Sequence, residues 1–238
     1  MGGRAGGSGS GFGSRSSVGD ESMTGLSAKL KRVLKEREDL IRMNNMFEMG
    51  TVYDENGNII YQENRGKEGS VYLGNDYENR IVTHNHPGEK KNGRIEQALS
   101  LSDEDIFIAA RYNAKEMRAV TEHYTYRLRR PKKGWGVDST NGGYVKDSSG
   151  KWVDNADMKR VKRVYKDSWA AVTKRVYAYA DNYKGGSDAA WNRALKTLQH
   201  QVNKEFAKRM GWEYTKTRVD NATLLRFGAK PWRSTKTK

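Results

Sequence analysis

The chain has 238 residues and a formal net charge of +15, and 31% of its residues are charged. That length allows one domain or two small ones with a real hydrophobic core. Because there is no cysteine, disulfide scaffolds, cysteine-ligated zinc fingers, iron–sulfur clusters and thiol nucleophiles are excluded. No run approaches the roughly 18 apolar residues of a membrane span, and no signal peptide is recognisable. We therefore expect a cytoplasmic or particle-associated protein with no membrane partner.

The excess positive charge lies in the second half of the chain. Residues 23–130 carry 18 basic and 17 acidic side chains, whereas residues 131–238 carry 24 and 10. All six tryptophans also lie in the second half. The two halves are therefore predicted to differ physically, and the basic half is expected to attract phosphate-rich or acidic partners.

The first half predicts a flexible arm followed by an α+β domain. Residues 1–24 form the arm, since their Gly/Ser-rich composition buries too little apolar surface to offset ordering entropy. The domain spans 25–131 and is predicted to be a small mixed sheet flanked by helices. Its predicted helices run over 25–45 and from Ser102 to about Asn113. Its predicted strands are a hairpin around Asn56-Gly57 and the segments 71–73, 80–83, 117–121 and 124–129.

The second half predicts a linker and then a basic helical hairpin. Residues 132–155 are rich in glycine and polar residues, which is typical of a loop. Residues 156–238 form a basic, Trp/Tyr-rich helical region with apolar stripes over 158–179 and 191–210. Ser187 is predicted to cap the second helix, and the tail from 226 is predicted to fray.

Two histidines carry the clearest chemical signal. His84 and His86 stand at i and i+2 at the end of a predicted strand, so both imidazoles can lie on one face. Asp105 follows on the first turn of a predicted helix. Two histidines and one aspartate leave a fourth coordination position for water, which is typical of catalytic zinc. The remaining histidines, His123 and His200, are predicted to be surface residues.

The spacing around Asp105 leaves two alternatives open. Ser102-x-x-Asp105 before an apolar helical run is also a capping box, which needs no metal. Ser100-x-x-Asp103 has the same spacing, so the register of the motif stays open.

These residues resemble a known family. His84-x-His86-Pro87 followed by Ser102-x-x-Asp105 is similar to the motif of JAB/MPN (JAMM) zinc metalloproteases, and Thr-His-Asn-His-Pro-Gly resembles their RadC branch. The resemblance implies a JAB/MPN-like fold with cytidine-deaminase-like layering and cleavage of peptide or isopeptide bonds. Zinc would be held by His84, His86 and Asp105, and Ser102 would stabilise an oxyanion.

The resemblance also implies a glutamate general base from an upstream segment. Glu48 fits best because it precedes the predicted strand at 51–53, and Glu63 and Glu68 are the alternatives. The implied substrate is a peptide or protein, such as a ubiquitin-like or phage structural protein.

Two further hypotheses belong to other functional classes. The same ligands in a nuclease or toxin-like effector would activate water against phosphate, with 156–238 contacting nucleic acid non-specifically. The Gly/Ser arm and basic tail also resemble small proteins from tailed-phage and prophage head-gene clusters. A phage head or packaging accessory with a degenerate site, in the virion or host cytoplasm, is the third hypothesis. The 15 residues between His86 and Ser102 exceed the usual interval in the JAB/MPN family and fit such a degenerate site.

Overall fold

A computed structural model describes residues 23–91, 94–97, 100–182 and 188–231. The predicted Ser187 cap lies outside these residues, and so do the predicted flexible arm over 1–24 and the predicted frayed tail from 226, except for 23–24 and 226–231. In those two short stretches the predictions fail, because Met23 and Ala229 are buried. The described strands are β1 (Gly50–Tyr53), β2 (Ile59–Glu63), β3 (Ile81–Asn85), β4 (Gly88–Lys91), β5 (Arg94–Gln97), β6 (Glu116–Val120), β7 (Tyr124–Arg129), β8 (Tyr144–Lys146), β9 (Trp152–Asp154) and β10 (Glu213–Arg218). The described helices are α1 (Ala28–Arg42), α2 (Asp103–Arg111), α3 (Ala156–Asn182), α4 (Asp188–Met210) and α5 (Asn221–Arg226).

A six-stranded mixed sheet organises the fold, with the strand order β10-β7-β6-β3-β1-β2. The pair β3 and β6 is parallel, and the other neighbouring pairs are antiparallel. Two small antiparallel sheets, β4-β5 and β8-β9, lie outside it. The predicted α+β class with a mixed sheet flanked by helices is confirmed.

The strand predictions were right in most places and wrong in one. The β1-β2 hairpin forms, and at its turn Gly57 has a φ of +78°, which favours glycine. The predicted strand at 71–73 is wrong: that segment forms no ladder, and only an isolated bridge between Lys67 and Ser70 precedes it. The predicted loop after Pro87 instead contains the β4-β5 hairpin.

Helix α1 covers one face of the sheet, which we call the α1 face. Ser27 caps the helix by accepting a hydrogen bond from the Leu30 amide at 3.2 Å. Leu30 and Leu34 are buried there in a small apolar cluster that includes Ile81. Leu40, near the end of the same helix, is 61% exposed.

The α1 face also buries charged groups that pair with one another. The Arg118 guanidinium on β6 donates to Glu38 on α1 at 2.5 Å and to Glu116 at 2.6 Å. All three side chains are almost completely inaccessible to solvent. Thr83 on β3 donates to the Glu38 carboxylate at 3.2 Å. This network therefore links α1 to two strands of the sheet.

Helices α2, α3 and α4 cover the opposite face, which we call the α2 face. A large apolar cluster fills it, and its members come from both halves of the chain. Phe107 on α2 packs edge-on against Tyr165 on α3, which in turn packs against Phe206 on α4. The predicted helical hairpin thus packs against the first part of the chain.

The predicted linker and the purely helical character of the basic region both need correction. Residues 132–155 contain the β8-β9 hairpin, and Trp135 within them is buried against Trp212 and donates to the Ala114 carbonyl at 2.8 Å. Strand β10, within 156–238, pairs with β7 in the central sheet. The two halves therefore share one sheet and one apolar cluster. The prediction failed because the contacts of Trp135 and β10 are long-range, and local sequence does not reveal them.

Candidate metal centre and its pocket

Strand β3 brings the two predicted histidine ligands together. His84 lies within the strand and pairs with Ala119 of β6, while His86 follows the strand and donates its amide to the Val120 carbonyl at 2.9 Å. Both imidazoles lie on the same face, and their Nε2 atoms are 2.9 Å apart. Both residues are buried. The prediction that i and i+2 strand positions place both rings on one side is confirmed.

Asp105 completes the cluster from the first turn of α2. Its carboxylate oxygens lie 3.2 Å from His84 Nε2 and 3.4 Å from His86 Nε2. The capping box fixes its position: Ser102 Oγ accepts from the Asp105 amide at 3.1 Å, and Asp105 Oδ2 accepts from the Ser102 amide at 2.7 Å. The same aspartate therefore closes the capping box and brings its carboxylate next to the two histidines.

The structure also settles the register of the serine–aspartate motif. Ser100 is buried away from the cluster, where its hydroxyl lies 2.7 Å from the Tyr214 hydroxyl and accepts from Asn203. Among the described residues, the group that could hold a metal ion consists of His84, His86 and Asp105. The cluster therefore contains Asp105, and Asp103 is not part of it.

Electrostatics couple the three groups. Burial by itself would lower the pKa of His84, but Asp105 and the more distant Glu48 raise it to about 9. Burial would raise the pKa of Asp105, but the two histidines hold it well below its usual range. Without a metal the cluster is thus an ion pair, and a cation binding there would replace the proton on His84.

The donor atoms fit a divalent metal. Two imidazole nitrogens and one carboxylate are a ligand set that zinc accepts, and bond lengths near 2.0–2.1 Å imply ligand–ligand separations of about 3.3 Å in a tetrahedron. The two Nε2 atoms are 2.9 Å apart, and Asp105 approaches His84 through Oδ1 at 3.2 Å and His86 through Oδ2 at 3.4 Å. With one donor atom taken from each residue, all three lie within 4.8 Å of one another. The cluster could therefore hold one ion.

Glu48 lines the same pocket as the cluster. Burial raises the pKa of its carboxyl group, against the opposing effect of His84 and His86. Its backbone is held by paired hydrogen bonds, since its amide donates to the Lys67 carbonyl and its carbonyl accepts from the Gly66 amide, both at 2.8 Å. Glu48 therefore lies in the wall of the pocket that contains His84, His86 and Asp105.

Asn85, between the two histidines, is the residue that sequence reasoning missed. Its side chain points to the opposite face from His84, where Oδ1 accepts from the Met49 amide at 2.6 Å and Nδ2 donates to the Asn44 and Phe47 carbonyls. Asn85 thus fixes the 44–49 loop that carries Glu48. Strand alternation could have identified Asn85 from sequence. A polar residue between two histidines that face the pocket points to the other face of the strand, and if it is buried it needs hydrogen-bond partners there.

The pocket has a volume of about 470 Å³ and an acidic character. Four carboxylates line it, and no lysine or arginine does so among the residues that the structure describes. Ser102 and apolar side chains, including Val71, Leu73 and Ile108, form the rest of its wall. The lining carboxylates are those of Glu48, Glu68, Glu104 and Asp105.

The other predicted candidates lie elsewhere or differ from expectation. Glu63 is not among the residues that line the pocket, and its carboxylate accepts from the Arg65 amide. His123 is partly exposed, and its ring contacts the Lys230 carbonyl at 3.2 Å. The prediction of a solvent-facing His200 is wrong, because its Nδ1 lies 2.8 Å from the Tyr214 hydroxyl at the interface of α4 and β10.

The chain matches no protein-family model, no curated protein sequence and no solved structure. The resemblance to JAB/MPN metalloproteases therefore depends on the spacing of the His84, His86 and Asp105 motif. Among the described residues, no helix combines the length and the apolar character that a membrane span requires.

Proposed function

We propose that this protein is a zinc-dependent hydrolase of the JAB/MPN type that cleaves peptide or isopeptide bonds. The observation that carries the proposal is the convergence of His84, His86 and Asp105 at the wall of a pocket. Glu48 and Ser102, the other two residues that the resemblance implies, line the same pocket. Five residues from three separate segments therefore line one pocket, which supports the proposal.

The metal would be held by the two Nε2 atoms and the Asp105 carboxylate. When bound, zinc supplies a Lewis acid and lowers the pKa of a coordinated water toward neutrality. The buried position of both histidines restricts competing ligands to groups that enter through the pocket.

Glu48 is assigned the role of general base. Its raised pKa brings the carboxylate nearer to the pH at which a base both accepts and releases a proton efficiently. The proton would be taken from water at the pocket and passed to the leaving amine.

Ser102 is assigned to the developing oxyanion. Its oxygen already accepts a hydrogen bond from the Asp105 amide, and a serine hydroxyl has one further proton to donate. Because Ser102 also lines the pocket, that proton can be directed to substrate. Helix capping and oxyanion stabilisation are thus compatible at one side chain.

The acidic lining favours a peptide over a phosphodiester. A phosphate would bring negative charge to a wall with four carboxylates and no described basic residue. A peptide is neutral at the scissile bond, and a lysine or arginine beside that bond would be attracted. This argues against the nuclease hypothesis for the pocket itself.

The metal is tested by elemental analysis of the purified full chain dialysed against zinc. We expect one zinc per chain in wild type and less than a tenth of that in His84→Ala and His86→Ala. His123→Ala is the matched control, because it removes a histidine outside the cluster, and it should keep the full stoichiometry. Equal zinc content in all four proteins would exclude the assigned ligands.

The reaction is tested with a proteome-derived peptide library, in which new termini are read by mass spectrometry. Zinc-loaded wild type should generate cleavages that Glu48→Gln loses by at least a hundredfold while retaining its zinc. Glu68→Gln tests the alternative base in the same pocket, and it should keep most of the wild-type cleavage. Cleavage unaffected by Glu48→Gln would contradict the assigned base.

A further inference from the structure

Helix α3 presents a basic surface that the proposed hydrolase chemistry does not use. Its buried side is apolar and includes Met158, Val161, Tyr165, Val172 and Val176. Its exposed side carries positive charge over about 22 Å of helix length, at 1.5 Å per residue. We call this exposed side the basic stripe, and its residues are Lys159, Lys162, Arg163, Lys166 and Lys174.

The charges of the stripe are largely uncompensated. Lys162 is paired with Asp154 at 2.6 Å. Within the described part of the chain, no carboxylate lies within ion-pair distance of Lys159, Arg163, Lys166 or Lys174. These four residues span about 80° of the helix circumference at 100° per residue, so they lie on one side of the helix, which also carries the exposed Asp167. A polyanion aligned with the helix could contact all four.

Aromatic side chains interrupt the stripe. Trp169, one turn after Lys166, is 39% exposed although tryptophan is usually well buried. Tyr177, further along the same side, is 38% exposed. Trp152 on the neighbouring β9 is 52% exposed and has Lys146 above its ring. Exposed rings among cations offer stacking platforms as well as charge.

We propose that the basic stripe of α3 binds single-stranded nucleic acid without sequence preference. Phosphates would contact Lys159, Arg163, Lys166 and Lys174, and a base would stack on Trp169. Duplex DNA hides the faces of its bases, and an acidic peptide has no comparable ring, so Trp169 favours a single strand over both.

The surface and the pocket have opposite charge, which separates their functions. The pocket is lined by carboxylates, whereas the stripe is cationic. Nucleic acid is therefore held outside the reaction site, where it would localise the protein.

The test is fluorescence anisotropy of the full chain with a labelled 15-nucleotide oligothymidylate, across a range of salt concentrations. Arg163→Glu/Lys166→Glu should weaken binding by at least twentyfold. It should also reduce the slope of log K against log salt by about 1.4, at about 0.7 for each lost phosphate contact. Lys31→Glu/Arg32→Glu on α1 is the charge-matched control, since both residues are exposed, and it should weaken binding less than threefold.

A second variant tests the aromatic contribution. Trp169→Ala should weaken oligothymidylate binding about tenfold and leave binding of the matching duplex within twofold, while Trp169→Phe should restore most of the affinity. Circular dichroism checks that each variant is folded. EDTA should leave binding unchanged, so failure of the zinc site and failure of this surface are distinguishable.

Three results would overturn the proposal. The first is equal loss in the α1 and α3 charge reversals, which would indicate attraction by net charge alone. The second is tighter binding of the duplex or of polyglutamate than of oligothymidylate. The third is unchanged oligothymidylate affinity in Trp169→Ala.

Discussion

The two faces of the central sheet both bury charged groups, but they satisfy them differently. On the α1 face, Arg118 is matched by two carboxylates, Glu38 and Glu116, and the pairs are 2.5 and 2.6 Å long. On the α2 face, His84, His86 and Asp105 mainly contact one another, and His86 Nδ1 is buried without a partner among the described residues.

This difference distinguishes a network that stabilises the fold from a cluster suited to binding an ion. A buried charge with protein partners in good geometry joins two elements, and its loss is felt as instability. A cluster of nitrogen and oxygen donors that converge on a common point is suited to an ion. Strand β3 carries both roles at once, because Thr83 and Asn85 face α1 while His84 faces the pocket.

The largest effect on stability should come from breaking the α1-face network. Arg118→Met removes the cation and leaves Glu38 and Glu116 buried without compensation, which should lower the free energy of unfolding by about 3–5 kcal/mol. Urea unfolding measures it. Arg163→Met, at an exposed position of α3, is the control and should change stability by less than about 0.5 kcal/mol. A loss below 1 kcal/mol in Arg118→Met would mean that the network is not structural.

Asn85 connects the two faces, so its replacement should affect both stability and the site. Asn85→Ala deletes three hydrogen bonds to the 44–49 loop and should cost about 2 kcal/mol. Hydrogen exchange at the Met49 amide should accelerate at least tenfold while zinc stoichiometry stays at one. Asn58→Ala in the β1-β2 turn is the control. Unchanged exchange at the Met49 amide in Asn85→Ala would show that the 44–49 loop is held by other contacts.

A smaller effect should separate capping from metal binding. Ser102→Ala removes the hydroxyl that accepts from the Asp105 amide, which should cost about 1 kcal/mol. Zinc should still bind, since the ligand atoms remain. Calorimetry measures zinc binding by the variant. Loss of binding in Ser102→Ala would contradict this prediction, because Ser102 would then be a ligand.

How far sequence could predict this arrangement depends on how local each contact is. The candidate metal cluster was predictable because strand alternation relates His84 to His86 and a capping box places Asp105 in the first turn of α2. The α1-face network was not, since Glu38 and Arg118 are 80 positions apart and look like surface charges. The pairing of β10 with β7 is equally non-local. The segment 71–73 has strand-like composition but no neighbour to pair with.

The α2 face should also show a pH dependence of stability. Burial, together with the nearby Lys216 and Lys204, lowers the pKa of His200 to about 4 from an ordinary 6.5. Between these values the unfolded chain binds a proton that the folded chain excludes, so stability falls as the pH falls through that window. His200→Gln should flatten this part of the curve, and His123→Gln should not. An unchanged slope in His200→Gln would contradict a buried neutral imidazole.

The central claim is that His84, His86 and Asp105 bind one metal ion, and X-ray absorption spectroscopy of the zinc-loaded chain tests it most directly. The spectrum should show a four-coordinate zinc with two imidazole ligands and the remainder oxygen, at about 2.0–2.1 Å. His86→Ala, which should hold less than a tenth of the zinc, should lose this two-imidazole spectrum. A six-coordinate zinc with oxygen ligands alone, or a two-imidazole zinc spectrum retained in His86→Ala, would contradict the account.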